Sequence, residues 1–263
     1  MKKINPYLIN KRKEKIKIIS LQIIILILFI LMWELLSKLN IIDSFLFSSP
    51  SSIIKLMIAY IQNGLLFEHI AISVIETLLG LIIGTLLGLF IAVILWLNDF
   101  LAKVFDPFLV VLNALPKTAL APILIIWAGT GIKGITVVAI SISLVITIIS
   151  GYGYFKSIEE DKIKMMKSFK ASKFQILTKL ILPANFGNII SIIKINIGMS
   201  WIGVIVGEFV VSRAGIGYLI VYGSQVFKMD LVMMGVFVLS LIAFLMYEVV
   251  NIIEIKIKNK RRG

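Results

Sequence analysis

The hydrophobic positions of this chain fall in long blocks rather than being scattered. Several blocks reach the length of about 20 apolar residues that a helix needs to cross the hydrocarbon core of a membrane. Turn and charge signals such as "LNDF" at 97–100 and "GTGIKG" at 129–134 separate the blocks. The pattern predicts an all-α polytopic membrane protein. Its six predicted spanning helices cover residues 18–38, 69–97, 104–127, 132–154, 186–210 and 230–252.

Composition supports this fold class and excludes several functions. Of the 263 residues, 59% are hydrophobic and 16% are charged, whereas a soluble domain is about half apolar and a quarter charged. The absence of cysteine excludes disulfides and thiolate metal sites, and the single histidine, His69, cannot build a histidine metal cluster. The sequence contains no catalytic constellation and no G-x-x-x-x-G-K-[ST] nucleotide-binding loop. We therefore expect no enzymatic activity and no metal or cofactor, and any ATP must be bound by another chain.

The basic residues predict the orientation in the membrane. Six spans put both termini on one side, together with Lys103 and the loop at 155–185, and 20 of the 27 lysines and arginines then lie on that side. An excess of basic residues marks cytoplasmic loops. Both termini are thus expected in the cytoplasm. The chain then divides into a basic tail at 1–17, one transmembrane domain at 18–255 and a second basic tail at 256–263. The net charge of +13 then reflects topology and attraction to anionic lipid rather than nucleic-acid binding.

A short helix is predicted outside the membrane, in "FSSPSSIIKLMIAYIQNG" at 47–64. Ser49 is a suitable N-cap, and Pro50 suits the first helical turn. The apolar residues from Ile53 to Ile61 share one face, so this helix is expected to lie along the outer membrane surface.

Small residues recur every four positions in the second predicted span. The stripe consists of Glu76, Gly80, Gly84, Gly88 and Ala92. Residues four apart lie on one helix face, and small residues permit close approach of a second helix. The stripe therefore predicts a packing face, with Glu76 near the outer end expected to reach water.

The fifth predicted span carries ionisable residues on one face. Lys194, Trp201 and Glu208 share this face, and small or polar residues occupy the opposite one. An ionisable side chain at the centre of a membrane helix costs about 2.5–3.5 kcal/mol, so such residues usually face protein or a water-filled path. Two interpretations stay open: the face borders a translocation path, or the charged groups snorkel and the rest is packing.

The third predicted span adds two further candidates for a path, Asn113 and Pro116. Pro116 and Pro122 each lack a backbone donor and disturb a helix. Broken membrane helices often border cavities, although proline kinks also serve packing alone.

The predicted cytoplasmic loop at 155–185 is too long for a simple turn and carries seven lysines between Lys156 and Lys179. Apolar residues recur at intervals of three, first from Ile163 to Phe169 and again from Phe174 to Leu180. This pattern predicts two short helices joined near 170–172. They would either rest on anionic lipid or form a docking element for a cytoplasmic partner.

The segment "KMMKSFKASKFQILTKLILPANF" resembles the cytoplasmic signature loop of bacterial ABC importer permeases, E-A-A-x-x-x-G-x9-I-x-L-P. Lys164, Met165 and Met166 occupy the E-A-A positions, Lys170 the glycine position, and Leu182-Pro183 match. Four other segments resemble this family in the same order: "SSPSSI", "DPFLVVLNALPKTALAPILIIWAGTGI", "WIGVIVGEFVVSRAGIGYLI" and "DLVMMGV". Over about residues 30–255 the chain is similar to permeases for sulfonate, taurine, nitrate and thiamine-precursor pyrimidines.

The resemblance implies a type I importer fold in the bacterial cell membrane. Two permease copies would enclose a path for a small nutrient delivered by an extracellular binding protein. Two cytoplasmic ATP-binding subunits would hydrolyse ATP, each receiving one signature loop. The coupling residues implied are Lys164, Met165, Met166, Phe169, Lys170, Ala171, Ser172, Leu182 and Pro183.

Two other functional classes compete with the importer permease. A secondary transporter would need internal repeats or paired broken helices, and a membrane enzyme would need a catalytic constellation. The sequence leaves open the solute and whether the permease pairs with itself.

Lys170 departs from the family pattern, in which glycine forms the bend. A residue with a side chain costs about 1–2 kcal/mol in the left-handed region, so we expect Ala171 or Ser172 to take up the turn instead. Lys164 in place of glutamate suggests that the ATPase groove is more acidic than is usual in the family.

Overall fold

The structure, a computed structural model, describes residues 6–262, with side chains described for 13–258. Lys2 and Lys3 of the predicted basic tail lie outside the described residues, as do the side chains of the other basic residues at 11–12 and 260–262. Every regular element in the described range is helical, which confirms the predicted all-α class. The helices are α1 Pro6–Lys38, α2 Ser44–Phe47, α3 Pro50–Gln62, α4 Leu65–Leu97, α5 Asp99–Ala114, α6 Ala121–Ala128, α7 Ile132–Lys156, α8 Glu160–Ser168, α9 Lys173–Ile176, a π-helical turn Leu177–Ile181, α10 Leu182–Ala184, α11 Phe186–Val211, α12 Ile216–Gln225 and α13 Met229–Arg262.

Five helices of the described chain are long and apolar enough to cross a membrane: α1, α4, α7, α11 and α13. Each coincides with a predicted span. α1 begins at Pro6 and α13 continues to Arg262, so the described parts of both predicted tails are helical. Lysine and arginine are good helix formers, and this explains the extension.

The third predicted span, 104–127, is not one helix, and its break lies at Pro116, one of the two prolines that were expected to disturb it. α5 starts earlier, at Asp99, and ends at Ala114, and α6 begins only at Ala121. Pro116 lies in the break, and Pro122 stands in the first turn of α6, because a proline cannot donate the hydrogen bond that a helix interior requires. The Lys117 Nζ folds back to donate to the Asn113 carbonyl at 3.3 Å.

The short helix predicted at 47–64 is confirmed as α3, and its location on the outer membrane surface stays a prediction. The Ser49 side chain accepts a hydrogen bond from the Ser52 amide, and Pro50 occupies the first turn. Ile53 is buried, whereas Ile54 and Ile58 are exposed. α3 therefore packs one edge against α4 and α13 and leaves apolar side chains facing outward.

The centre of the fold is the close pairing of α4 with α7. Gly80 faces Ala139, and a Cβ added at Gly80 would lie 2.5 Å from the Ala139 Cβ. One turn further, a Cβ at Gly84 would overlap the Ser143 Oγ. The predicted small-residue packing face is therefore confirmed, since only residues of this size let the two backbones meet.

α11 completes a three-helix core with α4 and α7. A Cβ at Gly203 would lie 2.5 Å from the Ala139 Cα, so α11 also approaches the α7 backbone closely. Asn196 of α11 is fully buried, and its Nδ2 donates to the Thr85 Oγ1 at 2.8 Å and the Thr147 Oγ1 at 2.6 Å. Interhelical hydrogen bonds of this kind contribute about 0.6 kcal/mol each on average and fix the register of all three helices.

The remaining helices surround this core unequally. α12 and α13 pack on one flank of α11, around a cluster that contains Trp201, Leu219 and Met234. α1 contacts mainly α3, and its apolar surface is exposed from Ile18 to Met32.

The packing of α11 on α7 predicts opposite outcomes for two glycine substitutions. Gly203→Ala should lower the free energy of unfolding by about 1–3 kcal/mol, the usual cost of overpacking, because the new methyl meets α7 backbone. Gly153→Ala is the matched control, since no atom lies within 4 Å of its added Cβ. It should leave stability unchanged or raise it by up to about 1 kcal/mol through helix propensity.

Thermal unfolding in detergent, followed by circular dichroism, measures both effects. Equal melting temperatures for Gly203→Ala and Gly153→Ala would contradict the close approach of α11 to α7.

Candidate functional site

Residues 160–184, from α8 to α10, form a feature that we call the basic helical pair. α8 ends at Ser168, and the second helix starts after Ser172, whose side chain accepts a hydrogen bond from the Gln175 amide. The Gln175 side chain in turn accepts from the Ser172 amide at 2.8 Å, completing a capping box. The prediction of two short helices joined near 170–172 is confirmed.

The turn between these helices differs from the expectation. Lys170 itself adopts the left-handed conformation, with φ of 59°, so the prediction that Ala171 or Ser172 would take up the turn is wrong. The Ala171 amide donates to the Met166 carbonyl across this bend at 3.1 Å. The chain retains the glycine-type geometry without glycine, because the capping box and the buried contacts on either side stabilise the bend.

One face of the basic helical pair packs against the body of the protein. Leu177 and Ile181 are buried with Phe155 of α7 and Ala92 of α4. Met166, Ala171 and Leu182 pack against the same cluster. The Lys173 Nζ also donates to the Leu97 carbonyl, at the end of α4, at 3.0 Å. The pair is therefore anchored to the C-terminal ends of α4 and α7.

The opposite face of the pair exposes large apolar side chains among lysines. Met165, Phe169 and Phe174 are 53%, 79% and 66% exposed. Lys164 makes ion pairs within its own helix, at 3.3 Å to Asp161 and 3.7 Å to Glu160. The other predicted coupling residues on the exposed side are Lys170, Ser172 and Pro183.

The charged face of the fifth span has partners inside the chain. The Lys194 Nζ lies 2.5 Å from Glu254 Oε2, donates to the Asn251 Oδ1 at 2.8 Å, and stands 5.2 Å from the Tyr247 ring centre. All three partners belong to α13. Trp201 is 4% exposed within the α12–α13 cluster. Lys194 and Trp201 therefore have partners within the chain. That their helix face borders a translocation path between two permease copies stays a prediction.

Asn113 and Pro116, the other path candidates, lie elsewhere in the chain. Both are exposed at the break between α5 and α6. α5 packs on α4 and α7, so the structure does not bring these two residues together with Lys194 and Trp201.

Glu208, near the C-terminal end of α11, is fully buried and fixes the loop that leads to α12. Its Oε1 accepts from the Ser73 Oγ at 2.5 Å, and its Oε2 accepts from the Gly217 amide. The Ser73 Oγ accepts from the Ile216 amide at 2.8 Å. A Cβ at Gly215 or Gly217 would collide with this carboxyl group, which explains the two glycines of "AGIG".

His69 and Glu76 of α4 belong to the same region, and the sequence did not indicate this. The His69 Nδ1 accepts from the Gly215 amide at 2.9 Å. Glu76 was expected to reach water and does not, since it is 1% exposed. The sequence signal for this cluster is the pair Gly215 and Gly217 shortly after Glu208. Two glycines so close together indicate that the backbone packs tightly against a neighbouring group, here the Glu208 carboxyl.

Comparison with known proteins agrees with the resemblance. The family model described as "Binding-protein-dependent transport system inner membrane component" matches residues 84–259. A riboflavin transport system permease protein of Chloroflexus aurantiacus is 31% identical, with 87% of this chain and 85% of that protein covered. A probable ABC transporter permease protein of Haemophilus influenzae is 28% identical (89% and 94% covered), and the taurine transport system permease protein of Escherichia coli is 23% identical (87% and 85%).

Among solved structures, an inward-facing form of the MetNI methionine ABC transporter has a TM-score of 0.49 at 16% identity. The alignment covers 74% of this chain and 97% of that one. The family model extends over most of the chain and includes the basic helical pair, α11 and α13. The chain therefore belongs to the family of binding-protein-dependent transport system inner membrane components, the permeases of ABC importers.

Proposed function

We propose that this chain is the transmembrane subunit of an ATP-driven importer and that the basic helical pair receives the force of a separate ATPase. The observation that carries the proposal is the two-sided character of the pair. One face is buried against α4 and α7, and the other exposes Met165, Phe169 and Phe174. Exposed apolar side chains rimmed by charges are typical of a protein interface.

The geometry suits transmission of movement. An ATPase that grips Phe169 and moves would displace α8 and α9 as one body, because the capping box and the buried cluster join them. That displacement reaches α7 through Phe155 and α4 through Leu97. Packed cores shift between discrete arrangements rather than deforming continuously, so the helices would rotate relative to a second permease copy.

The solute is proposed to be a small nutrient handed over by an extracellular binding protein. The relatives named for riboflavin and for taurine transport carry solutes of very different chemistry. They support a small nutrient as the class of solute and do not single out one compound. Family membership also disfavours a secondary transporter, the competing hypothesis, since the relatives named above are transport system permeases.

The topology gives the first test. A cysteine introduced at Ser168, an exposed position at the end of α8, should resist a membrane-impermeant maleimide added to intact cells and react after permeabilisation. A cysteine at Asn63, between α3 and α4, is the matched control and should react in intact cells. The chain has no native cysteine, so there is no background, and labelling of Ser168→Cys from outside would refute a cytoplasmic pair.

Phe169 gives the second test. Phe169→Ala should weaken assembly with the ATPase by about tenfold or more, because exposed aromatic side chains commonly dominate interface energies. Phe67→Ala, at a 61% exposed position near the outer end of α4, is the control and should assemble normally. The two measurements are co-purification with the ATPase and stimulated ATP hydrolysis. The same values for both variants would show that Phe169 does not belong to the interface.

Charge gives the third test. The double variant Lys164→Glu/Lys170→Glu should insert normally but lose coupling, because complementary charge on the ATPase groove would select the partner. The lost ion pairs of Lys164 are exposed and contribute only about 0–1 kcal/mol, so folding should survive. Lys15→Glu/Lys17→Glu makes the same charge change on exposed α1 positions and should transport normally. Normal transport by the first variant would show that Lys164 and Lys170 are only a solvated or lipid-facing surface.

A further inference from the structure

An open cavity of about 370 Å³ lies between the basic helical pair and the ends of the neighbouring helices, and we call it the lysine cavity. Its volume lies within the range of about 300–1,000 Å³ that is usual for small-molecule sites. Four lysines from four helices line it: Lys103 of α5, Lys156 of α7, Lys167 of α8 and Lys173 of α9. The fold thus brings like charges from separate parts of the chain to one place.

The lysine cavity has an excess of positive charge that the described chain does not neutralise. Its four lysines are accompanied by one acidic lining residue, Asp99. The Lys173 Nζ lies 4.0 Å from the Asp99 carboxylate. Among residues 13–258, the other three lysines of the cavity form no ion pair. Because like charges held close together repel one another, the cavity favours an anionic ligand.

Aromatic side chains place the lysine cavity at the level of lipid headgroups. Trp96 lies in the last turn of α4, and Tyr152 lies about one turn before the end of α7. Both are half-buried and line the cavity, and the Lys156 Nζ stands 5.9 Å from the Tyr152 ring centre. Tryptophan and tyrosine gather where membrane spans meet the headgroups. Basic pockets between the ends of membrane helices bind phospholipid headgroups, so the position of the cavity points to the same kind of ligand as its charge.

We propose that the lysine cavity binds a phosphate group, carried by an anionic phospholipid or free in solution. The oxygens of a phosphate are spread over a tetrahedron, so they can accept hydrogen bonds from ammonium groups that approach from different helices. A carboxylate has two oxygens in one plane and would reach fewer of the lysines. A bound phosphate would link Lys167 and Lys173 of the basic helical pair to Lys103 and Lys156. The site needs no ATPase, so its absence would leave the proposed function untouched.

The test uses the full chain, purified in a non-ionic detergent and stripped of lipid, and native mass spectrometry counts the ligands bound. The probes are dioleoylphosphatidylglycerol, dioleoylphosphatidylcholine, whose choline group offsets the phosphate charge, and inorganic phosphate. We expect a single phosphatidylglycerol to bind about tenfold or more tightly than phosphatidylcholine, because each nearby lysine favours an anionic lipid.

Inorganic phosphate separates the two sources of the group. If an excess of it leaves phosphatidylglycerol bound, the ligand is a lipid headgroup, and if it binds in place of the lipid, the ligand is the free anion. Either result supports a phosphate site. The proposal would be overturned if inorganic phosphate does not bind and the two lipids bind equally or not at all.

Removal of lysines assigns the site to the cavity. Lys103→Gln/Lys167→Gln should weaken binding of the phosphate probe by about tenfold or more, because two of the four lining ammonium groups are lost. Lys15→Gln/Lys17→Gln removes the same charge from exposed positions of α1 outside the cavity and is the control, with binding expected to be unchanged. Equal weakening in both double variants would show only a general attraction of anions to a basic chain and would overturn the site.

Asp99→Asn should act in the opposite direction. It removes the acidic group that competes for Lys173, so binding of the phosphate probe should tighten by about fivefold. The Asp99 side chain is 84% exposed, and the loss of so exposed an ion pair has little effect on folding. Asp106→Asn, at an exposed position of α5 outside the cavity lining, is the control and should bind as the parent chain does. Unchanged or weaker binding in Asp99→Asn would contradict the site, and this comparison decides even where the lysine variant does not fold.

Discussion

The close approach of α4, α7 and α11 is the constraint on which the rest of this protein depends. Gly80 and Gly203 both meet Ala139 of α7, so three backbones converge where larger side chains cannot fit. In a membrane, association of helices depends on such packing rather than on a hydrophobic driving force. Asn196 then bonds to both neighbours and prevents the helices from sliding. The result is a rigid unit that extends from one end of the spans to the other.

The basic helical pair and the loop before α12 are attached to opposite ends of this unit. At one end, the cluster around Phe155 and Ala92 holds the basic helical pair. At the other end, Glu208 holds the loop before α12, and Glu76 of α4 lies beside it. Because α4, α7 and α11 are each continuous, a displacement of these helices at the first end would also move the second.

Local patterns predicted much of this architecture. The five long spans, the Ser49 cap and the packing face at Gly80 and Gly84 all follow from composition, capping chemistry and helical period. The break at Pro116 was indicated by the missing donor, but its extent was not, because helix ends depend on tertiary contacts.

The features that the sequence did not reveal have a common physical cause. Lys194 is paired with Glu254, 60 residues away, and periodicity within one helix cannot reveal such a partner. Glu76 was expected to reach water, yet tertiary packing places it beside Glu208. Lys170 takes a conformation that its side chain disfavours, because contacts on both sides of the bend outweigh about 1–2 kcal/mol of local strain. Each of these features concerns a residue whose state is decided by another part of the chain.

The sparse contact of α1 with the rest of the chain has a consequence for the choice of membrane. The apolar part of α1, residues 18–38, extends about 32 Å at 1.5 Å per residue, close to the hydrocarbon core of about 30 Å. A bilayer of another thickness would create a hydrophobic mismatch, which a helix relieves by tilting. Since α1 contacts mainly α3, few contacts within the chain oppose that tilt. A thinner or thicker bilayer would reorient α1 while the three-helix core keeps its geometry.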